Sequence, residues 1–242
     1  MTPPRGLRFG NWLYLWLSAH DRSSEWHPVL VLERPEMQPW LDAFPALRSL
    51  TITADEMKFH DWREWDESSW NQRFDVDFSR SALVSFIEIY LAPNIEPDLT
   101  GALVVNVRRG DYYARPELRV RYGFDQIGYL KAALAHFGEP KRILVVSDDP
   151  DWCRNTLDRM LRSQAPVVTY EEADPLANFV SVAAASRIIG TNSTFTYWAA
   201  YIASVLHANP DIVMPRFHAR MADGRTDAYQ LDPRWTALDG FH

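Results

Sequence analysis

The sequence is poor in several features that would place it in a familiar class. Its 242 residues include one cysteine, Cys153, so an internal disulfide framework and a cysteine-based metal site are excluded. No stretch approaches the roughly 20 consecutive apolar residues of a membrane-spanning helix. Residues 1–10 have no apolar core like that of a signal sequence. We therefore expect a cytoplasmic protein without membrane insertion.

Positive charge is also scarce. The chain has 25 Lys and Arg against 32 Asp and Glu, a formal net charge of −7. Sequence-independent binding to a nucleic-acid phosphate backbone needs an excess of basic residues, so nucleic acid is not an expected partner. Residues 1–97 hold most of the deficit, with nine basic and 15 acidic residues, whereas residues 98–242 have a net charge of only −1. Any bound anion must therefore be held by a local group of basic residues.

The usual phosphate-binding loops are missing as well. The sequence contains neither GxGxxG nor a Walker sequence, so it lacks the signatures of ordinary dinucleotide-binding and P-loop proteins. What it does have is the composition of a globular protein with a substantial core, since 47% of its residues are hydrophobic and 13% are aromatic, with ten Trp.

Short apolar runs and helical periods alternate along residues 102–214, a pattern typical of a parallel sheet with helices on both faces. The pattern predicts strands at 102–107, 142–146, 167–169, 187–190 and 212–214, and helices at 126–137, 151–162, 174–185 and 193–206. Every predicted strand ends in a polar or turn-rich segment. Because ligands of open α/β sheets bind outside the carboxyl ends of the strands, we expect the functional site there.

The first 97 residues are less regular. Helices are predicted at 11–19 and 80–91 and a strand at 29–32, while residues 55–77 have no clear period. The segment 93–100 contains two prolines and little apolar content, which favours a linker. We therefore predict domains at 1–97 and 98–215, followed by a tail at 216–242 that crosses back to the first domain.

Two arginines follow the first predicted strand of the second domain. Arg108 and Arg109 would present planar guanidiniums, which suit a diphosphate, and Asp111 is placed to hold one of them. Taken alone, such a group is more often an ion pair on the surface at a strand end.

A second polar turn, residues 191–195, precedes a predicted helix. The free N–H groups at a helix N-terminus attract anions, although Asn, Ser and Thr are also ordinary capping residues. Two anion-friendly turns on one sheet edge favour a ligand site over capping and surface pairing alone.

Three segments in this order resemble the motifs of the bacterial α-1,2-fucosyltransferases, a family related to the α-1,6- and protein O-fucosyltransferases. The segments are RRGDY at 108–112, SDDPDWC at 147–153 and NSTFTYWAA at 192–200. Gly10 and Asn11 resemble the Gly-Asn turn of the family. The resemblance implies an α/β fold of two Rossmann-like domains facing a cleft (GT-B type), with a reduced N-terminal domain. It also implies an inverting glycosyltransferase that needs no metal and no other cofactor.

The resemblance further implies roles for single residues. Arg108 would neutralise the β-phosphate of a nucleotide-sugar donor, the work that a divalent metal does elsewhere, with Asp111 beside it in the catalytic group. The implied donor-binding residues are Gly10, Asn11, Asn106, Arg108, Ser147, Asp148, Asp149, Asn178, Asn192, Ser193, Thr194 and Phe195.

Two positions depart from the family pattern. Asn106 stands where the arginine motif normally begins with His, so a titrating group is excluded there. Asn178 stands where the family tends to place an Asp that can pair with guanine N–H groups. GDP-fucose is the favoured donor, and another nucleotide sugar is an alternative.

An inverting transfer usually needs a general base on the acceptor hydroxyl. Glu117, in a basic loop, is the first candidate, followed by Asp21 and His20; each also reads as a solvated surface group. The predicted acceptor-binding residues are Asp21, Trp62 and Trp65. Trp62 and Trp65, with carboxylates around them, would form a platform for a carbohydrate acceptor or, equally, attach a small, loop-rich domain to its neighbour.

These observations predict a glycosyltransferase that moves L-fucose from GDP-fucose to a hydroxyl of a glycan or a glycosylated small molecule. A relative that binds nucleotide or carbohydrate without turnover is the alternative from another class, favoured by Asn106 and by the uncertain base. No oligomeric state is predicted.

Overall fold

The computed structural model describes residues 1–59, 61, 72–172, 174–222, 224–226 and 228–242. The chain divides into two compact units, Met1–Glu96 and Pro97–His242. The division falls one residue before the boundary predicted from the prolines of segment 93–100.

The first unit is mainly helical. Its elements are α1 (Phe9–Arg22), β1 (Val31–Leu32), α2 (Gln38–Ala43), β2 (Thr51–Ile52) and α3 (Arg80–Tyr90), with short 3-10 turns at Pro35–Met37, Pro45–Leu50 and Ala92–Asn94. The two strands pair in parallel. Helix α1 contributes much of the core of this unit, because its buried face carries Trp12, Leu13, Trp16 and Leu17. The indole N–H of Trp16 donates to Thr51 Oγ1 at 3.0 Å, which ties α1 to β2.

The second unit is a parallel α/β sheet. Its elements are β3 (Leu103–Val107), α4 (Gly110–Ala114), α5 (Pro116–Tyr122), α6 (Gln126–Phe137), β4 (Arg142–Ser147), α7 (Pro150–Arg162), β5 (Val167–Tyr170), α8 (Pro175–Ala183), β6 (Arg187–Ile189), α9 (Thr194–Leu206), β7 (Asp211–Pro215) and β8 (Thr236–Leu238). All five residues of β3 are buried, as expected of a central strand covered on both faces. The predicted α/β class with a parallel sheet is confirmed for this unit.

The strand order of the sheet is β5-β4-β3-β6-β7-β8. After β3, the strands β4 and β5 are added on one side of β3. The chain then returns, and β6 pairs with the other side of β3, with Leu103 opposite Arg187. The strand order therefore reverses between β3 and β6. In doubly wound sheets the crevice at the carboxyl end of such a switch point is the usual ligand site.

Helices α6 and α7 each begin after an aspartate that caps the helix N-terminus. Asp125 accepts the N–H of Gly128 at 2.9 Å to cap α6, and Asp149 accepts the N–H of Trp152 at 3.1 Å to cap α7. Pro150 occupies the first turn of α7, where its missing N–H costs nothing. Because Cys153, Leu157 and Leu161 are spaced by four residues, they form the buried face of α7.

Two sequence expectations need correction. The supposed basic loop around Glu117 is helical, with α4 and α5 replacing the loop. The tail predicted at 216–242 to cross back to the first domain belongs instead to the second unit, because Thr236–Leu238 pairs in parallel with β7. A strand of three residues is too short to carry a readable alternation. Within the described residues, none of the helices combines the length and the apolar character that a membrane crossing requires.

Candidate functional site

The candidate site lies at the switch point, where the loops after β3 and β6 meet. The backbone N–H of Arg108 donates to Thr191 Oγ1 at 2.9 Å, so the two loops are joined directly. Gln126, buried at the start of α6, donates its amide N–H to the carbonyl of Arg108 at 2.7 Å. The backbone of Arg108 is therefore fixed on both sides.

The guanidinium of Arg108 is held between two carboxylates. Its Nη2 lies 2.5 Å from Asp111 Oδ1 and its Nη1 lies 2.6 Å from Asp148 Oδ2. A guanidinium has five N–H donors, and the remaining ones have no partner among the described residues. The side chain is 26% exposed, so an incoming anion can reach these donors.

Two stacked tyrosines lie beside the guanidinium of Arg108. The guanidinium carbon of Arg108 lies 5.1 Å from the ring centroid of Tyr112. The Tyr112 ring is stacked on Tyr122, with centroids 4.3 Å apart and planes 11° apart. Burial raises the pKa of Tyr112 above its ordinary value, so this tyrosine stays neutral.

Arg109 is in a different environment. Its guanidinium carbon lies 3.7 Å from the ring of Trp152 and 4.1 Å from that of Tyr113. Its Nη1 donates to Gln126 Oε1 at 3.2 Å, and its side chain is only 15% exposed. The sequence placed both guanidiniums in one crevice; the structure presents Arg108 there and encloses Arg109 between aromatic rings.

Gly110 leaves room for the carboxylate of Asp148. A Cβ at position 110 would lie 2.2 Å from Asp148 Oδ2, far inside van der Waals contact. The space allows Asp148 to accept the N–H of Arg109 at 2.8 Å as well as to pair with Arg108.

In the loop after β6, Asn192 is a buried connector. Its amide nitrogen donates to the carbonyls of Tyr122 and His218, both at 2.8 Å. The residue is fully buried, and its Oδ1 has no hydrogen-bond partner among the described residues. Its amide N–H groups thus hold two other segments at the sheet edge.

The next residues leave hydrogen-bonding groups available. Ser193 occupies the N-cap position of α9, yet its side chain makes no capping hydrogen bond. Thr194 and Phe195 are partly exposed in the first turn of this helix. The simple capping interpretation of this turn is therefore wrong for Ser193, which is 6% exposed and whose hydroxyl makes no hydrogen bond within the described residues.

In the loop after β4, the polar side chains accept backbone N–H groups of the same segment. Ser147 Oγ accepts the N–H of Asp149 at 3.0 Å, and Asp149 caps α7. Burial raises the pKa of Cys153 to about 11, so its thiol is unreactive at neutral pH.

Asn106 and Asn178 are both 5% exposed. The amide of Asn106 donates to Val146 O at 3.1 Å, and its Oδ1 accepts the hydroxyl of Thr196. Asn106 therefore links β3 to β4 and to α9 by hydrogen bonds. Asn178 donates only a long contact of 3.5 Å to Ser147 O, and its Oδ1 has no partner among the described residues.

The candidate bases are less well placed for catalysis. Glu117 is exposed on α5 and accepts from Arg115 Nε at 2.7 Å. A hydrogen bond from its own backbone, and then Arg115, lower the pKa of Glu117, which makes it a weaker base. Asp21 is exposed near the end of α1. Burial lowers the pKa of His20.

The remaining predicted positions belong to the first unit. Gly10 and Asn11 lie in the first turn of α1, and Asn11 Oδ1 accepts the amide N–H of Gln72 at 2.9 Å. Trp62 and Trp65 lie outside the described residues.

Sequence reasoning missed three contributors to the site. Gln126, Tyr122 and Trp152 position the arginines. The sequence places Gln126 and Trp152 in predicted helices and Tyr122 in a stretch predicted to be a loop. The available signal was Gln126, a polar residue next to an apolar helical period. In the described part of the chain, no group of three or more His, Cys, Asp or Glu side chains is arranged to hold a metal ion.

A parallel α/β sheet with an arginine and polar turns at its switch point is consistent with a Rossmann-like glycosyltransferase. Residues 50–236 match the family model described as glycosyl transferase family 11, and the chain belongs to this family. The resemblance to α-1,2-fucosyltransferases stated from the motifs is confirmed, while a bacterial origin stays a prediction.

Curated relatives agree with this assignment. Galactoside alpha-(1,2)-fucosyltransferase 1 of Lagothrix lagotricha and that of Saimiri sciureus are each 32% identical to the chain over 102 residues. The match covers 41% of this chain and 28% of each relative, so the chain spans less than a third of their length. No solved structure matches the chain at a significant level.

Proposed function

We propose that the chain transfers L-fucose from GDP-fucose to a hydroxyl of a carbohydrate acceptor, with inversion at the anomeric carbon and without a metal ion. The observation that carries the proposal is the guanidinium of Arg108, fixed at the switch point with unpaired N–H donors. Membership of glycosyl transferase family 11 and the similarity to galactoside alpha-(1,2)-fucosyltransferases support the choice of fucose.

In the proposed reaction the bond between the fucose C1 and the β-phosphate oxygen breaks with its electron pair going to the nucleoside diphosphate. The acceptor hydroxyl oxygen forms the new bond to C1 from the opposite face, and its proton passes to a base, for which Glu117 and Asp21 are the candidates. Negative charge grows on the leaving diphosphate. Preorganised donors at such a point typically contribute a factor of about 100 to 1,000 in rate.

The ion pairs around Arg108 determine which of its donors a diphosphate can use. Arg108 and Arg109 are matched by three carboxylates, those of Asp111, Asp148 and Asp149. The group as a whole is therefore not positive. A diphosphate must bind to the unpaired N–H donors of Arg108, together with the hydroxyl of Ser193 and the free N–H groups that begin α9.

We extend the proposal to the architecture. Unit Pro97–His242 is the donor-binding domain, and Met1–Glu96 is the reduced partner in a two-domain (GT-B type) glycosyltransferase. The Rossmann-type strand order of the second unit supports the first half of this statement.

The test is fucosyl transfer by Arg108→Ala. With a panel of galactosides as acceptors, we expect the turnover of GDP-fucose to fall by about 100-fold to 1,000-fold. Arg159→Ala removes an exposed arginine from α7 and is the matched control, expected to keep full activity. Transfer by Arg108→Ala at the level of the control would refute the phosphate role.

Another nucleotide sugar is a second candidate donor, favoured by Asn178. Its buried Oδ1 lacks a hydrogen-bond partner among the described residues, and it is an amide rather than a carboxylate. Thermal unfolding with GDP, UDP and dTDP distinguishes the donors, since a ligand at about 100 times its Kd stabilises a protein by about 2.7 kcal/mol. Stabilisation by UDP or dTDP but not by GDP would replace GDP-fucose.

A binding protein without turnover is the remaining candidate. It is favoured by the weakened basicity of Glu117 and by the structural use of Asn106. It predicts stabilisation by nucleotide with no consumption of any nucleotide sugar in the presence of acceptors. Measured donor consumption above the rate of hydrolysis would exclude it.

A further inference from the structure

A groove of about 450 Å³ lies at the carboxyl edge of the sheet in the second unit. Three strands lead into it: Tyr113, Arg119 and Asp125 follow β3, Arg220 follows β7, and Phe241 follows β8. We call it the α5 groove. Because ligands of open α/β sheets bind outside the carboxyl ends of strands, this groove is in the part of the fold where binding sites form. Arg108 does not line it.

Two arginines line the α5 groove. Arg119 is exposed, and its guanidinium has no carboxylate partner among the described residues. Arg220 donates from Nη1 to the carbonyls of Val120 at 3.0 Å and Gly123 at 2.6 Å. Those bonds fix its guanidinium at the wall of the groove, and its Nε and Nη2 have no partner in the described part of the chain.

The side-chain carboxylate that lines the groove does not neutralise these arginines. Asp125 lines the groove, but its Oδ1 accepts the N–H of Gly128 at 2.9 Å as the cap of α6. It makes no ion pair with Arg119 or Arg220 within the described residues. The two side chains thus keep unpaired positive charge in a chain whose net charge is −7.

An aromatic ring connects the α5 groove to the arginines of the switch point. The ring of Tyr113 lies 4.1 Å from the guanidinium carbon of Arg109 and 5.8 Å from that of Arg119. Its hydroxyl donates to the carbonyl of Phe124 at 3.1 Å and accepts the N–H of the same residue at 3.2 Å, so the ring is fixed. A fixed aromatic ring with guanidiniums beside it is a surface on which a sugar ring with a charged substituent can pack.

We propose that the α5 groove binds an oxyanion, a carboxylate or a phosphate, carried on a sugar of the acceptor, with Arg119 and Arg220 as its ligands. The planar forks of two guanidiniums match both groups. The inference rests on the proposed transfer to a carbohydrate, and it adds that this carbohydrate is anionic.

The experiment is calorimetric titration of the full chain with D-glucuronate, glucose 6-phosphate and neutral glucose. At least one anionic probe should bind at least tenfold more tightly than glucose, and the tighter probe shows whether the anion is a carboxylate or a phosphate. Arg119→Gln should remove the preference. Arg121→Gln removes an exposed charge from the same helix outside the groove and should retain it.

Three outcomes would overturn the proposal: equal binding of all three probes by the wild-type chain, equal loss in both variants, or loss in Arg108→Ala with retention in Arg119→Gln, which would assign the anion to the switch point. Thermal unfolding of each variant checks that it folds. Since no donor is present in the titration, its result does not depend on whether the chain transfers fucose. A failure of fucosyl transfer is therefore distinguishable from a failure of the anion site.

Discussion

The loops after β3 and β6 meet at one point of the sheet and are held there by different means. The loop after β3 is charged, and ion pairs from Asp111 and Asp148 hold its Arg108. The loop after β6 carries no charge, and the buried amide of Asn192 holds it through backbone carbonyls. Ion pairs at a partly exposed site can exchange partners with a ligand, whereas buried amide bonds cannot. The first loop is thus suited to chemistry and the second to positioning.

Removing the buried amide should cause the largest loss of stability. In Asn192→Leu the carbonyls of Tyr122 and His218 lose their donor, and we expect the free energy of unfolding to fall by about 3 kcal/mol. Asn155→Leu, at an exposed position of α7, is the control and should change stability by less than about 0.5 kcal/mol. Chemical denaturation measures both. If Asn192→Leu and Asn155→Leu lose the same stability, the buried amide does not hold the loop after β6 in the way described.

Acid should weaken the same buried segment. Burial, and then Arg121, lower the pKa of His218 to about 4 from an ordinary value of 6.5. The folded state therefore binds fewer protons than the unfolded state between these pH values, and stability is lost as pH falls from about 6.5 to about 4. In His218→Gln the stability should change less over this range. An identical pH dependence in the variant would contradict the assignment.

A smaller effect is expected in the charged loop. The Cβ of Gly110→Ala displaces the carboxylate of Asp148 and breaks its bond to the N–H of Arg109, so stability should fall by about 1 kcal/mol. The double variant with Asp148→Ala tests the cause. If the carboxylate is the obstacle, Gly110→Ala should add little cost in that background.

The smallest effect is expected at Ser193. Because its hydroxyl makes no capping bond, Ser193→Ala should change stability by less than about 0.5 kcal/mol. Asp149→Ala, which removes the cap of α7, should cost about 1 kcal/mol. Weaker stabilisation by GDP in Ser193→Ala, at unchanged intrinsic stability, is expected from the proposed phosphate contact. A stability loss equal to that of Asp149→Ala would return Ser193 to a capping role.

The sheet of the second unit was largely predictable from sequence. Its first five strands are apolar runs with at least one buried residue each, and capping Asp and Pro residues mark the starts of α7 and α8. Helices α4 and α5 were missed because neither has a buried residue, and an exposed arginine-rich stretch has no apolar period. Strand β8 was also missed, because its three residues are all half-buried and form no apolar run.

The site was predictable only in part. The position of Arg108 follows from the end of β3, since an apolar strand followed by arginine marks a sheet edge. The difference between Arg108 and Arg109 did not follow, because Trp152 reaches Arg109 from the helix after the next strand. Such a contact depends on the order of strands in space, which no local pattern contains. The structural hydrogen bonds of Asn106 and Asn192 did not follow from sequence either, because the carbonyl groups that accept them lie on other elements.

The short strand β8 has a consequence for how the molecule behaves in concentrated solution. An outer strand presents unpaired N–H and C=O groups to which a second chain can add by strand pairing. With only three residues, β8 offers too little length for a stable addition. Without it, the five residues of β7, four of them buried, would form the edge. We therefore expect β8 to protect the sheet edge against strand addition, and a chain truncated before residue 236 to precipitate or form fibrils more readily.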